Sequence, residues 1–216
     1  MNVGKSLGVL LIVAGLALGG LVAWTVADPL AGHRQHALQQ ELQRTWAVQK
    51  PVPAVSVPAV SGPAVSGACT DPPQRLRPSQ PFALMTIPAF GPRWKFAVVE
   101  GTTLTQLALG PGHITGTSMP GGANFGVAAH DITAGNPFLH LWNLKPGNQV
   151  IVTTTHCQYT YAVDSHAKVS YTDVAVLKSR TAYPHTLILV TCWPVTLAFT
   201  PVRIVVWGHE VSVRAR

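Results

Sequence analysis

Val150-Ile151-Val152-Thr153-Thr154 and Tyr159-Thr160-Tyr161-Ala162-Val163 decide the fold. Both runs are β-branched and aromatic, residues that suit a pleated, half-buried surface. The short connection His156-Cys157-Gln158 separates them, so they read as adjacent strands. Working outward, Thr186-Leu187-Ile188-Leu189-Val190-Thr191 is a buried-strand run and Arg203-Ile204-Val205-Val206-Trp207 is another. Phe82 to Ile87, Trp94 to Val99 and Phe125 to Ala129 complete a set of about eight short strands. Helical pieces are confined to Leu104–Leu109, Pro137–Leu141 and Asp173–Lys178. Turns are marked at Gly91-Pro92, Gly110-Pro111-Gly112, Pro120-Gly121-Gly122 and Pro146-Gly147-Asn148. Residues 81–216 therefore predict an all-β domain, an eight-stranded closed or nearly closed β-barrel with short helices.

Toward the amino terminus the texture changes twice. Residues 51–80 contain Pro53-Ala54-Val55-Ser56, repeated at Pro58–Ser61 and Pro63–Ser66. Frequent proline removes backbone donors and favours extended geometry. The expectation is a spacer able to hold the domain up to ~90 Å from its attachment, at ~3.1 Å per residue. Before it, residues 28–50 carry Leu38, Leu42 and Trp46 every four residues, a short helix that sits at a membrane surface or stacks on a neighbour. Residues 6–27 are uncharged, and Lys5 with the amino terminus precedes them as a cytoplasmic tail of residues 1–5. At ~1.5 Å per residue the run spans ~33 Å, enough for a hydrocarbon core. A cleaved signal would have a shorter apolar core and a small-x-small site. Ala23-Trp24-Thr25 is a poor one, so the reading is an uncleaved single-pass anchor in the cell membrane, with residues 28–216 extracellular.

Charge and cysteine content exclude several classes. Fifteen Lys and Arg face eight Asp and Glu, and only 11% of residues are charged. With 18 Pro and 19 Gly, this rules out a coiled coil, an acidic disordered chain and a helical bundle. The basic residues are scattered singly without aromatic interleaving, so no nucleic-acid partner is expected. Three cysteines are too few for a disulfide-dense scaffold, and no Cys-x-x-Cys pair suggests zinc.

Cys192 ends the longest apolar strand, His130 ends another apolar strand and Arg203 begins a third. A buried cysteine is ordinarily a small hydrophobe. Three reactive types at strand ends, however, can converge at one rim of a barrel. A thiolate attacks carbonyls, an imidazole carries the proton, and a guanidinium stabilises developing negative charge.

Here the chain resembles the sortase family. Gly110-Pro111-Gly112-His113, Gly116-Thr117, Pro120-Gly121 and Asn124-Phe125-Gly126-Val127-Ala128-Ala129-His130 are similar to the signature around the family's catalytic histidine. Leu189-Val190-Thr191-Cys192-Trp193-Pro194 looks like its Thr-Cys motif, and Arg203 matches its essential arginine. The likeness covers roughly residues 81–213 and is nearest to class E or class D. Two departures stand out. Asp131 follows the histidine where the family usually has Arg, and Ile114 occupies a position expected to be Tyr in many class E members.

The resemblance implies a cysteine transpeptidase that needs no cofactor. Cys192 would attack the Thr–Gly carbonyl of a Leu-Pro-x-Thr-Gly or Leu-Ala-x-Thr-Gly sorting signal on surface proteins. His130 would protonate the departing amine and deprotonate the incoming one from a peptidoglycan precursor. Arg203 would hold the oxyanion or a signal carbonyl and favour the thiolate. Ile114, Thr117, Asn124 and Trp193 are expected to meet substrate, and Thr191 either does so or simply continues its strand. With reference pKa values of ~8.5 and ~6.5, independent titration leaves under ~1% of the thiolate–imidazolium pair at pH 7. The alternatives are a pilin-polymerising sortase, a mainly hydrolytic one, or a non-catalytic envelope barrel.

His113 is expected to pack near the site. The remaining histidines lack ligand spacing and the acids are dispersed, so no zinc or calcium site is expected. If Cys192 stays free, Cys69 and Cys157 remain in an oxidising compartment. They are either two unpaired thiols or a bridge tying the amino-terminal arm to the barrel.

Overall fold

The computed structural model describes residues 30–48, 69–178, 183–194 and 200–216. Eight strands are observed: β1 (Pro81–Thr86), β2 (Lys95–Glu100), β3 (Gly112–His113), β4 (Asn124–Ala128), β5 (Gln149–Thr153), β6 (Cys157–Ser170), β7 (Thr186–Trp193) and β8 (Val202–Ala215). They close into a barrel in the order β1-β2-β3-β4-β7-β8-β6-β5. Helix α1 spans residues 30–48 and α2 is Leu104–Leu107. A 3-10 turn at Leu141–Asn143 follows the Pro137–Leu141 stretch that reads as helical, and another covers Val174–Leu177.

The continuous apolar run of β7 has a direct physical cause. Leu187 and Leu189 face the barrel core with Phe125, Val127 and Val206. Ile188, on the other face, is buried under Val176 with Val205 and Trp207. A strand covered on both sides has no polar face to alternate with.

Strands β6 and β8 run well past the lengths expected from sequence. Asp164-Ser165-His166 looks like a strand end, yet the β6–β8 register shifts between Val163 and Ser165, so a bulge absorbs the polar break. Cys157 and Gln158 belong to β6 instead of the connection. Strand β3 falls within a segment that reads as a turn. A Cβ at Gly112 would lie 2.2 Å from Gly101 O, so only glycine lets this parallel neighbour reach β2.

Helix α1 stacks on the barrel's own outer face, where Leu38, Leu42 and Trp46 pack on Ala97, Val99 and Leu84. Because β3 is so short, β2 has a bare edge above it. Gln35, buried, fills this gap like a segment of strand. Its Oε1 accepts from Ala97 N at 2.8 Å, and its Nε2 donates to Ala97 O and Leu109 O. Gln39 Nε2 adds a bond to Lys95 O at 3.1 Å. Fastened this way, α1 lies directly beside the barrel. Residues 69–80 correct the spacer boundary. Cys69 is joined to Cys157, and the Asp71 carboxylate accepts from Thr154 Oγ1 at 2.5 Å, Tyr159 Oη at 3.0 Å and His156 N at 3.3 Å. Residues 1–27 and the repeat tract lie outside the described residues; among those described, no helix is long and apolar enough to cross a membrane.

Candidate active site

Strands β4 and β7 run parallel, in a register that ends on Ala128↔Val190. Two residues further, one strand carries His130 and the other Cys192. Ala129 N donates to Val190 O at 3.1 Å, and Thr191 Oγ1 donates to Ala129 O at 2.8 Å, so the two strand ends stay clasped. On the other side of β7, Cys192 pairs directly with Arg203 of β8. Ala129 and Leu189 face the core, so pleat alternation puts His130, Cys192 and Arg203 together on the outer face. All three are half-buried. Arg203 is held from below: its Nη1 donates to Thr200 O at 2.7 Å and Val202 O at 2.9 Å, and its guanidinium lies 5.8 Å from the Tyr171 ring.

Burial pulls the His130 pKa below its usual 6.5, and the charge of Asp131 opposes that shift. Asp131 is itself buried. Its Oδ1 accepts from Ile132 N at 2.9 Å and its Oδ2 has no hydrogen-bond partner. The carboxylate next to His130 in sequence therefore acts on the imidazole through space, with no hydrogen bond to orient it.

Down the outer face from these residues, β4 and β7 form the floor of a candidate groove. Its floor is the small, half-buried pair Ala128 and Val190. One wall is Ile114 and Thr117, which lie over Gly126; a Cβ there would meet both at 3.0 to 3.3 Å. The other wall is the Val174–Leu177 turn over Ile188. Across the far end, Asn124 Nδ2 donates to Leu177 O at 2.8 Å. Asn124 is level with Thr186, six residues before Cys192, or about 20 Å along the strand.

These contacts sort the remaining expected substrate residues. Ile114 lines the groove. Thr117 lines it only with its methyl, since its hydroxyl donates to Ile114 O at 2.7 Å, accepts from Gly126 N at 3.1 Å and touches His113 Nε2 at 3.0 Å. The structure places three others away from the open floor. Asn124 closes the groove, its amide spent on Leu177. Thr191 points into the barrel and is 3% exposed, the strand-continuing alternative. Trp193 occupies the opposite pleat from Cys192, packed on the core with the Lys168 ammonium 4.1 Å from its ring. His113 packs as expected, between Phe82 and Phe125 with Glu100 2.7 Å from its Nδ1. The wall formed by the Val174–Leu177 turn went unread in the sequence, although the small residues at 126 and 128 on one strand face were a usable signal.

A cavity of about 610 Å³ opens at the opposite end of the barrel, beside Cys69, Asp71, Tyr159, His185 and Glu210. It is remote from Cys192, because its lining comes from the starts of β4 and β7 and the end of β8. It takes no part in the chemistry derived from the groove.

Residues 85–211 match the sortase-domain family model. A curated relative, Sortase SrtE1 of Streptomyces coelicolor, is 32% identical over 161 residues, covering 67% of this chain and 44% of the relative. The chain thus spans less than half the length of that relative. Among solved structures, sortase E from Streptomyces avermitilis superposes with a TM-score of 0.58 at 34% identity, over 64% of this chain and 93% of that one. SrtF sortase from Corynebacterium diphtheriae gives 0.59 at 25%, over 69% and 94%. Sortase E1 from Streptomyces coelicolor, solved with a tripeptide in its active site, gives 0.58 at 28%, over 66% and 94%.

Proposed function

This chain belongs to the sortase family, and on that premise we propose that it is a membrane-anchored cysteine transpeptidase acting through Cys192, His130 and Arg203. One observation carries the reading: β7 sets the thiol in direct register with Arg203, and His130 follows two residues after the end of its parallel neighbour β4. The Cys192 thiolate attacks the Thr carbonyl of a Leu-Pro/Ala-x-Thr-Gly signal. Arg203 steadies the oxyanion. The C–N bond to Gly breaks, and the imidazolium of His130 gives its proton to the departing amine. The neutral imidazole then takes a proton from a cell-wall precursor amine, whose nitrogen attacks the thioester and returns the thiolate. Four extended residues occupy about 13 Å, the length of β7 from Cys192 to Ile188, where Val176 covers the face.

Residues 6–27 anchor the chain in the cell membrane, with the barrel outside. Burial of His130 makes the imidazolium scarcer than in water, so turnover is low.

The test is to incubate a signal peptide and a small amine with wild type and with Cys192→Ala, and to weigh the products. Amine adduct from wild type alone supports transfer. Cleaved acid alone points to hydrolysis, and silence of both proteins across amines and pH rejects the enzyme.

A further inference from the structure

The course of α1 shows which end of the barrel lies nearest the chain's entry. Its first turn packs at the active-site end, where Ala31 is buried and its Cβ lies 3.8 Å from the place a side chain would take at Gly135, in the loop after His130. Its last turn lies toward the disulfide end. There the Arg216 guanidinium sits 4.4 Å from the Trp46 ring, and Arg216 N donates to His156 O in the β5–β6 turn. The helix rises about 22 Å between these points. The apolar run 6–27 stops three residues before α1 begins. Three residues of chain reach about 11 Å at most. A bilayer holding that run therefore lies close to the first turn of α1, and so to the rim of Cys192, His130 and Arg203.

The rim also has the chemistry of a membrane neighbour. Arg93, Lys95, Lys145 and Lys168 are exposed there, against one exposed carboxylate at that end among the described residues, Asp173. The disulfide end is basic as well, with Arg75, Arg77, Lys178, Arg214 and Arg216 exposed, so the course of α1, and not charge, distinguishes the two ends. Phe90, Trp94 and Trp142 lie half-buried on the same rim as the lysines. Indoles favour the headgroup level, and lysine and arginine are drawn to anionic leaflets.

We propose that the catalytic rim lies against anionic lipid headgroups, with α1 as the strut that holds it there and the disulfide end directed away. This rests on the anchor reading of residues 6–27. A sorting signal still attached to the same membrane then reaches Cys192 by lateral movement along the surface.

The test uses the full chain in phosphatidylcholine vesicles with roughly 30% phosphatidylglycerol and a headgroup-labelled acceptor lipid. A donor dye goes on Cys192, the free cysteine, or on Arg214→Cys in a Cys192→Ala background. Energy transfer should be at least about twofold stronger from position 192, given ends about 22 Å apart along α1. Combining Gln35→Ala with Leu42→Ala should undock α1 and abolish the difference. Equal or stronger transfer from position 214 overturns the orientation and leaves the rim facing outward. A difference that survives undocking overturns the strut. A chain that fails to float with vesicles overturns the anchor and this inference with it, a result distinct from the other two.

Discussion

The two ends of the barrel each carry cysteine, and they treat it in opposite ways. At the disulfide end Cys157 is fully buried and bonded to Cys69, and Asp71 accepts three hydrogen bonds that pin the arm. At the rim Cys192 is free and half-buried, between a histidine whose cation is disfavoured and an arginine steadied by backbone carbonyls. The same residue type is a fastener where covalent closure holds a long loop, and a free thiol where a strand end leaves it half-exposed. Stability and chemistry are thus expected to be separable by position.

The largest effect tests that separation at the rim. Cys192→Ala, His130→Ala and Arg203→Ala should each lower transpeptidation at least about a thousandfold without adding, because the three act as a unit. Their circular dichroism and melting should remain near wild type. Loss of folding in any one of them would break the comparison.

Removing the bridge should do the reverse. Its loop closes over a separation of 88 residues, worth up to about 4–5 kcal/mol in the chain-entropy model. Cys69→Ser with Cys157→Ser should unfold at clearly lower urea yet keep most activity at low temperature. Wild type, denatured without reductant, should show one reactive thiol. Activity lost as fully as in Cys192→Ala would show that the ends are coupled.

A smaller effect belongs to Thr191. Thr191→Val leaves Ala129 O without its side-chain donor at the junction of β4 and β7. A loss of about 1 kcal/mol is expected, with a fall in kcat and little change in KM, since the hydroxyl positions strand ends and touches no substrate.

The smallest effects are electrostatic and have opposite signs at the two ends. His130 titrates below 6.5 in the fold, so the unfolded chain binds the proton first as pH falls. Its stabilising share is present above 6.5 and declines as pH drops through that value; a pH series of wild type against His130→Gln should show it. Glu210 titrates above its usual 4.5 because burial disfavours its anion, against the opposing charge of His185, and its Oε2 has no hydrogen-bond partner. Stability is lost there as pH rises. Glu210→Gln should melt slightly higher at pH 7, on the order of 1 °C, and no differently at pH 4.

Much of this was legible in the chain. Seven of the eight strands coincide with runs that read as strands, because burial imposes its pattern on any strand long enough to show one. Strand β3 escaped because two residues cannot display a period. The full lengths of β6 and β8 escaped because a bulge accommodates a polar break that locally resembles an end. The helix was legible, but the surface it stacks on was not, nor was the course of the arm. Proline-rich sequence signals extension, and nothing local reveals that Asp71, Cys69 and Gln35 have partners on strands dozens of residues away.

By itself, then, the sequence determined the β-barrel, the resemblance to sortases and the three residues Cys192, His130 and Arg203, since periodicity and motif spacing are properties of neighbours along the chain. Only the tertiary structure decided that Cys69 meets Cys157, that α1 closes the bare edge of β2, and that Thr191 and Trp193 turn away from the groove. Those outcomes depend on strand register and on which pleat faces outward, and both are set by closing the barrel, a condition that no single segment carries.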